Sequence, residues 1–139
     1  IMDGLSVRVG DETYVLPLAA VLESLYADEA VLQGLGGTTQ VLRHRDALLP
    51  VVDLARLFAV PRALSSATPA AGSILVVVQA QGGQMALRGD ELLGQQPVVV
   101  KNLEANYARV EHVAGATLLG DGRVALILDV ASLVRYACA

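Results

Sequence analysis

Histidine is the side chain best suited to act as a catalytic base or metal ligand near neutral pH, and this chain has two of them. His44 and His112 lie far apart, and neither has a second ligand at a spacing such as His-x-x-x-His. Cys138, the single cysteine, is close to neither in sequence. Isolated residues of this kind are typical of surface or packing positions, so we expect no catalytic residue, no metal and no cofactor.

Two consecutive acidic residues, Asp90 and Glu91, are the arrangement nearest to an acid–base pair. Neighbouring residues on a β-strand point to opposite faces of the sheet, so these two carboxylates would not converge on one substrate. A polar turn between two strands explains them better.

The segment Gly120, Asp121 and Gly122 is not typical of a phosphate-binding loop, because no lysine follows it and no helix begins directly after it. Its residues tolerate positive φ angles, so a tight hairpin turn is expected here instead. No serine has a histidine and an acid nearby in a recognisable arrangement. The sequence therefore presents no active site, which favours a module that binds other molecules.

The charge balance argues against a nucleic-acid partner. Ten basic and fourteen acidic residues give a net charge of −4, and Lys101 is the single lysine. Arg43, His44 and Arg45 form the one basic cluster, which is more typical of a solvated strand end. No apolar run approaches the roughly 20 residues of a membrane-spanning helix, so no direct membrane insertion is expected.

The organising stretch of the chain is Gly115–Val134. Apolar residues flank its glycine turn, and Val124–Leu128 is apolar at every position, which is typical of a strand buried on both faces. Asp129 follows as a candidate helix N-cap, and the apolar residues after it have helical spacing. The predicted unit is therefore a hairpin, a buried strand, an aspartate cap and a short helix.

The same unit occurs earlier in the chain. A shift of 76 residues places Leu48–Phe58 on Val124–Val134 and superposes Asp53 on Asp129. The two aspartates could bind a cation, but a repeated capping role explains both without one. We expect two similar β units with cores near 40–58 and 116–134 and a surface connection near 59–73, which is rich in Ala, Ser and Pro.

Shorter apolar segments between glycine turns indicate further strands. These are Leu5–Val9, Thr13–Leu18, Gln40–Arg43, Ile74–Val78, Met85–Leu87 and Val98–Val100, with a helical turn at 103–107. Short strands at this spacing are typical of small barrels or sandwiches, so the predicted fold class is mainly β with a few short helices. A start at Ile1 without leader features indicates a piece of a longer protein (or a remnant of cloning), and the lone cysteine indicates a reducing, cytoplasmic setting.

Two long segments resemble a known family. Asp90–Glu104 is similar to the D-E-L-L-G-Q-Q-x-V-V-I-K-x-L-E segment in the C-terminal, CheW-like regulatory domain of CheA chemotaxis kinases. Gly115–Gly122 and Val124–Val130 resemble the G-A-T-I-L-G-D-G and V-A-L-I-L-D-V of that domain, and Asp3–Leu18 resembles its opening. The resemblance covers essentially the whole chain.

This resemblance implies a pair of small SH3-like five-stranded barrels. It also implies a non-catalytic docking domain that binds the CheW adaptor and chemoreceptor tips, contacts the kinase domain of the same chain and couples receptor state to autophosphorylation. Its implied location is the cytoplasm, in receptor arrays at the inner membrane face. A free-standing CheW-type adaptor is the alternative within this class, and a small β-barrel enzyme is the alternative outside it.

The resemblance also implies a docking site. Val21 and Glu23 match a V-x-E segment of CheW-like domains, and Arg45 matches the arginine of their R-G-x-x-x-P stretch, so these three are the candidate partner-binding residues. In the family, the acid and the arginine often form an ion pair near the receptor-docking groove. Asp46 stands where adaptors have glycine. Arg88-Gly89 stands where the family has an aliphatic pair, which predicts an edge hairpin or one rebuilt locally.

Overall fold

The computed structural model describes residues 1–26, 31–34, 40–60, 73–81, 83–101 and 111–138, with the backbone alone at 31–34. Within these ranges the chain forms eleven strands, which are β1 (Met2–Val9), β2 (Glu12–Pro17), β3 (Val21–Tyr26), β4 (Val31–Gly34), β5 (Gln40–His44), β6 (Ala47–Asp53), β7 (Ile74–Ala80), β8 (Gly83–Gly89), β9 (Glu91–Val98), β10 (Val113–Leu118) and β11 (Val124–Leu128). The same ranges contain a 3-10 turn and two helices, which are Leu18–Ala20, α1 (Leu54–Leu57) and α2 (Val130–Ala137).

The described strands form two sheets. The first sheet has five strands in the order β10-β11-β2-β1-β9, and the second has six in the order β3-β7-β8-β6-β5-β4. The expectation of a mainly β chain with a few short helices is confirmed, and the two expected five-stranded units are present as one sheet of five described strands and one of six.

The two sheets are interleaved along the sequence. The chain leaves the first sheet after β2, through the 3-10 turn, and returns to it at Asp90, between β8 and β9. Hydrogen bonds hold this return point against the β1–β2 turn. The amide of Asp90 donates to the carbonyl of Arg8 at 2.9 Å, and the amide of Gly10 donates to the Asp90 carboxylate at 2.7 Å. The second sheet is therefore a continuous insertion between the two parts of the first.

The repeated unit is present once in each sheet. In the second sheet β5, β6 and α1 follow one another, and β6 runs parallel to β8, with Val51 opposite Ala86. In the first sheet β10, β11 and α2 do the same, and β11 runs parallel to β2, with Leu126 opposite Tyr14. Each sheet thus contains two antiparallel hairpins joined by a parallel contact, with β9 added to the first sheet and β3 and β4 to the second.

Three apolar cores explain the long apolar runs. The inner face of the second sheet buries Leu75 and Val77, and the opposite face of the same strand contributes Ile74 and Val76 to a larger core. That larger core lies between the sheets and also receives buried residues of both helices. The first sheet has its own inner core around Val15. Strands covered on both faces need apolar side chains at successive positions.

The prediction of full burial is wrong at one end of each repeated strand. Leu48 in β6 and Val124 in β11 are both exposed, although each was expected to lie on a strand buried on both faces. Both residues adjoin a hairpin turn, where the strand projects beyond the layer that covers its middle.

The prediction that Arg88-Gly89 belongs to an edge or a rebuilt hairpin is also wrong. β8 lies between β7 and β6 inside the second sheet. Gly89 is required there by close packing, because a Cβ at this position would lie 2.5 Å from Cγ1 of Val7. Arg88 turns its guanidinium to polar neighbours, donating to Gln40 at 3.1 Å.

Two other predicted elements differ from the structure. A strand was expected at Val98–Val100, but Val98 is instead the last residue of the longer strand β9. The polar turn expected at Asp90-Glu91 is a bend at Asp90, and Glu91 already begins β9. The helical turn at 103–107 and the connection at 61–72 lie outside the described residues.

Candidate functional site

The hairpin that joins β5 and β6 brings His44 and Arg45 to Glu23 on β3. The turn residues Arg45 and Asp46 both have positive φ angles, of 48° and 66°, as a tight two-residue hairpin turn requires. Aspartate is among the residues that tolerate this conformation, so Asp46 can occupy a position where glycine was expected. The predicted pairing partners therefore do meet, and a histidine joins them.

The Glu23 carboxylate contacts two cationic side chains. Its Oε1 lies 2.9 Å from Nε2 of His44, and its Oε2 lies 3.3 Å from Nη2 of Arg45. The side chain of His44 is 13% exposed, that of Glu23 is 30% exposed and that of Arg45 is 80% exposed. His44 is thus the inner partner of the carboxylate and Arg45 the outer one. Sequence comparison with the family indicated Arg45 and missed His44.

Strand β3 presents an outward face beside this cluster. Its residues alternate between half-buried and exposed, and the exposed set is Leu22, Ser24 and Tyr26, which we call the β3 surface. Val21, the third predicted docking residue, is half-buried and packs against the core between the sheets. The alternation of VLESLY was the signal available in the sequence, although it did not separate docking residues from core residues.

A groove lies between the edge strands of the two sheets. It has a volume of about 330 Å³ and is lined by Ser24, Leu25, Tyr26, Ile74, Glu91 and Leu92. β3 ends the second sheet and β9 ends the first, so each sheet contributes an edge strand to the groove. Open strand edges and apolar side chains together suit the binding of a protein segment.

A second exposed apolar surface lies on the first sheet. Leu118 and Val124 are opposite one another on β10 and β11 and are 60% and 57% exposed. We call Leu118 and Val124 the apolar row.

The five residues expected to have structural roles lie at helix starts and in a turn. Asp53 accepts a hydrogen bond from the amide of Ala55 and Asp129 one from the amide of Ser132, both at 3.1 Å, at the starts of α1 and α2. Asp121 accepts from the amide of Arg123 at 3.0 Å, and the amide of Gly122 donates to the carbonyl of Leu119 at 2.9 Å. Gly122 has a φ of +86°, and Gly120 precedes Asp121 in the same turn.

The second histidine and the two consecutive carboxylates each have partners of their own. His112 is buried against α2, with Nδ1 2.6 Å from Oγ of Ser132 and its ring edge-on to Tyr136 at 5.2 Å. Glu91 forms an ion pair with Arg8 at 3.0 Å on the first sheet. Among the described residues, no group of three or more His, Cys, Asp or Glu side chains could hold a metal ion.

Burial raises the pKa of Tyr14 to about 12, with a smaller contribution from the nearby carboxylate of Glu12. The ring of Tyr14 stacks on that of Phe58, with centroids 4.9 Å apart. Tyr14 belongs to the core between the sheets, so this shift reflects packing. In the described part of the chain, no helix is long and apolar enough to cross a membrane.

Comparisons with known proteins agree with this architecture. The sequence profile of the CheW-like domain matches residues 3–138. The chemotaxis protein CheA of Salmonella typhimurium is 49% identical over 133 residues, which cover 96% of this chain and 19% of that protein. CheA of Rhizobium meliloti is 42% identical over 134 residues, covering 96% of this chain and 17% of that protein. The chain thus spans about a fifth of the length of these curated relatives.

The fold has a counterpart among solved structures. The crystal structure of the scaffolding protein TtCheW from Thermoanaerobacter tengcongensis superposes with a TM-score of 0.74 at 16% identity, covering 91% of this chain and 88% of that one. The expected resemblance to the CheW-like part of CheA proteins is confirmed by the profile and by the identities. From its sequence and its two-sheet fold together, this chain belongs to the CheW-like domain family.

Proposed function

We propose that this chain is the docking and regulatory domain of a CheA-type histidine kinase, and that it binds a CheW-type adaptor and the tips of chemoreceptors. The observation that carries the proposal is that the β3 surface and the apolar row lie on different sheets. Contiguous exposed apolar surfaces mark interaction sites. Two of them on one small domain suit a component that has two neighbours in an assembly.

In this proposal the domain transfers no phosphate itself. The CheA relatives are about five times longer than this chain, so the phospho-accepting and nucleotide-binding parts are assigned to the rest of such a protein. The domain would couple receptor state to autophosphorylation through the kinase domain of the same chain. We place it in the cytoplasm, in receptor arrays at the inner membrane face, without a nucleic-acid partner.

A free-standing CheW-type adaptor is the second candidate. The identities favour the kinase version, because CheA proteins reach 49% whereas the solved CheW structure has 16%. A gene that continues for several hundred residues upstream of Ile1 would support the kinase version, and an upstream start codon within a few residues would support the adaptor.

The docking role is tested by calorimetric titration of this chain with the CheW-type adaptor from the same organism and, separately, with a soluble fragment of a chemoreceptor tip. We expect saturable one-to-one binding to each. Tyr26→Ser removes apolar area from the β3 surface, and Leu118→Ser does so from the apolar row. Each substitution should weaken binding to one partner and leave the other unchanged, which would assign the two surfaces. Val21→Ala, Glu23→Gln and Arg45→Gln test the three docking residues that the sequence predicts.

Tyr136→Ser is the matched control, because Tyr136 on α2 is exposed to about the same extent as Tyr26 and lies in neither surface. Thermal unfolding of every variant separates lost contact from lost fold. If neither partner binds at concentrations near 1 mM, where the binding free energy is only about 4 kcal/mol, the docking role is wrong for this domain.

A further inference from the structure

The inner face of the first sheet carries buried hydroxyl groups. Leu5 and Val7 on β1 belong to the core between the sheets, so Ser6 between them points to the opposite face. Its cross-strand partner is Val15, a member of the first sheet's own core. Thr13 lies two residues before Val15 on β2 and therefore faces the same side. Ser6 and Thr13 are only 4% and 8% exposed, so both hydroxyls are buried beside an apolar core.

The hydroxyl of Ser6 is not satisfied by the protein. Its Oγ is buried and has no hydrogen-bond partner among the described residues. A buried hydroxyl without a partner lowers stability, because it has given up its hydrogen bonds to water. An alanine at this position would occupy nearly the same space without that cost. A serine here is therefore better explained by a bound group than by packing.

A cavity of about 290 Å³ is lined by Ser6 and Thr13 and extends to exposed residues of β9 and of the β10–β11 turn. We call it the β9 cavity. In β9, Gly94 lies opposite Ser6 and has a φ of +130°. No atom lies within 4 Å of a Cβ built on Gly94. The position from which a side chain would cover Ser6 is therefore open.

The lining determines which charge a ligand can carry. Asp121 is the one charged residue among those described in the lining. Its Oδ1 accepts a hydrogen bond from the amide of Arg123 at 3.0 Å, and its Oδ2 makes none to a described residue. Gln95 and Gln96 add carboxamide oxygens. A calcium ion takes about six to eight oxygen ligands, often from several carboxylates, whereas one carboxylate with neutral oxygens matches the N–H donors of a primary ammonium group.

Apolar walls accompany these polar groups. Leu93 is 49% exposed and Leu119 is half-buried, and both line the β9 cavity. Long cationic side chains and alkyl amines bury their carbon stems on such surfaces while the charged end finds polar partners. The cavity thus combines a surface for an alkyl stem with acceptors for an ammonium group.

We infer that the β9 cavity binds a primary ammonium group carried on an alkyl chain. Asp121 is its counter-ion, and the hydroxyls of Ser6 and Thr13 are hydrogen-bond acceptors at the inner end. A free diamine or a lysine side chain of another protein would supply the same group. The inference concerns a site apart from the β3 surface and the apolar row and does not depend on the proposed docking function.

The test is an NMR titration of the 15N-labelled chain with 1,4-diaminobutane and, separately, with Nα-acetyl-lysine amide. We expect saturable shifts of the amides of Gly94 and Asp121, with a dissociation constant of about 1–10 mM for ligands with so few atoms. Tetramethylammonium has the charge but no N–H donor, and it should bind at least about fivefold more weakly. Binding of both amines would admit a lysine side chain as the occupant, and binding of the diamine alone would identify a free amine.

Three variants separate the contributions. Asp121→Asn keeps the acceptor for the amide of Arg123 and removes the charge, so it should weaken binding roughly three- to tenfold. Ser6→Ala should weaken binding about threefold, and it should raise the unfolding temperature by about 2–4 °C because it removes an unpartnered buried hydroxyl. Asp46→Asn removes an exposed carboxylate from a turn of the other sheet and should change neither quantity.

Several results would overturn the inference. A lower unfolding temperature for Ser6→Ala, or unchanged binding, would show that its hydroxyl is not part of a site. Tetramethylammonium or glycerol binding as tightly as the diamine would show that the cavity does not select an ammonium group. Absence of shifts with about 50 mM of either amine, several times the expected dissociation constant, would do the same. Titration with the adaptor and the receptor fragment tests the proposed function separately, because neither amine is needed there.

Discussion

Oε1 of Glu23 and Nε2 of His44 lie 2.9 Å apart although three strands separate β3 from β5 in the second sheet. A flat sheet could not place side chains from these strands in contact, because neighbouring strands are about 4.8 Å apart. The contact therefore requires the sheet to curl until its two sides approach. The cluster of Glu23, His44 and Arg45 therefore exists only because the second sheet closes on itself.

Loss of this contact should destabilise the fold. His44→Ala and Glu23→Ala are each expected to lower the free energy of unfolding by about 1 kcal/mol, since both side chains are partly buried. Arg45→Ala should cost less than about 0.5 kcal/mol because its side chain is exposed. Urea unfolding of the single and double variants gives the coupling between Glu23 and His44. If the coupling free energy between Glu23 and His44 were smaller than that between Glu23 and Arg45, His44 would not be the stronger partner of the carboxylate.

The cap of α2 should contribute measurably to stability. Asp129→Ala removes the acceptor for the amide of Ser132 and is expected to lower the free energy of unfolding by about 1 kcal/mol. Asp129→Asn keeps a good cap and should recover most of that loss, which separates capping from the effect of the charge. Chemical denaturation of the three proteins measures both. Equal losses in Ala and Asn would point to the charge instead.

Gly89 should not tolerate a side chain. Gly89→Ala places a methyl group 2.5 Å from Cγ1 of Val7, so we expect a loss of about 1–3 kcal/mol from overpacking. Adding Val7→Ala should recover part of this loss by making room. Gly120→Ala is the control, because no atom lies within 4 Å of its added Cβ. Equal unfolding temperatures of Gly89→Ala and Gly120→Ala would contradict the close packing of Gly89 against Val7.

Stability should fall in strongly alkaline solution because of Tyr14. Its pKa is raised from 10.0 to about 12 by burial, so the folded state resists ionisation more than the unfolded state does. The resulting stabilisation is fully present below pH 10 and is lost as the pH rises through about 12. Tyr14→Phe keeps the ring against Phe58 and should flatten the decline of the unfolding temperature between pH 10 and 12. If the unfolding temperature of Tyr14→Phe declines as steeply as that of the wild type, groups other than Tyr14 cause the decline.

The elements that follow from local rules could be predicted from the sequence. Asp53 and Asp129 each follow an apolar strand and precede a helical pattern, and the structure places each of them at the start of a helix. Capping depends on residues within one turn of the helix, so the local sequence contains what is needed.

The features that depend on distant parts of the chain could not be predicted. His44 was assigned to a solvated strand end because its contact with Glu23 exists only once the sheet has curled. Gly89 suggested a weak strand because the neighbour that requires it, Val7, comes from the other sheet. The length of β9 was missed since it contains Gly94, at a bulge in its pairing with β1, and Pro97. The exposure of Leu48 and Val124 was missed for the same reason, because the local sequence does not show which strand ends other parts of the chain cover.

The insertion of the second sheet between the two parts of the first affects the order in which the chain can fold as it leaves the ribosome. Tyr14 can pair with Leu126 only after residue 126 has been synthesised. The pairing of Val51 with Ala86 becomes possible much earlier, once residue 86 has been added. Pairings between residues far apart in sequence form slowly. We expect the middle of the chain to become resistant to protease first in ribosome-arrested fragments, with the β1–β2 hairpin protected only after β11 emerges. The β1–β2 hairpin therefore lacks its neighbouring strands β9 and β11 until the whole of the inserted second sheet has been synthesised.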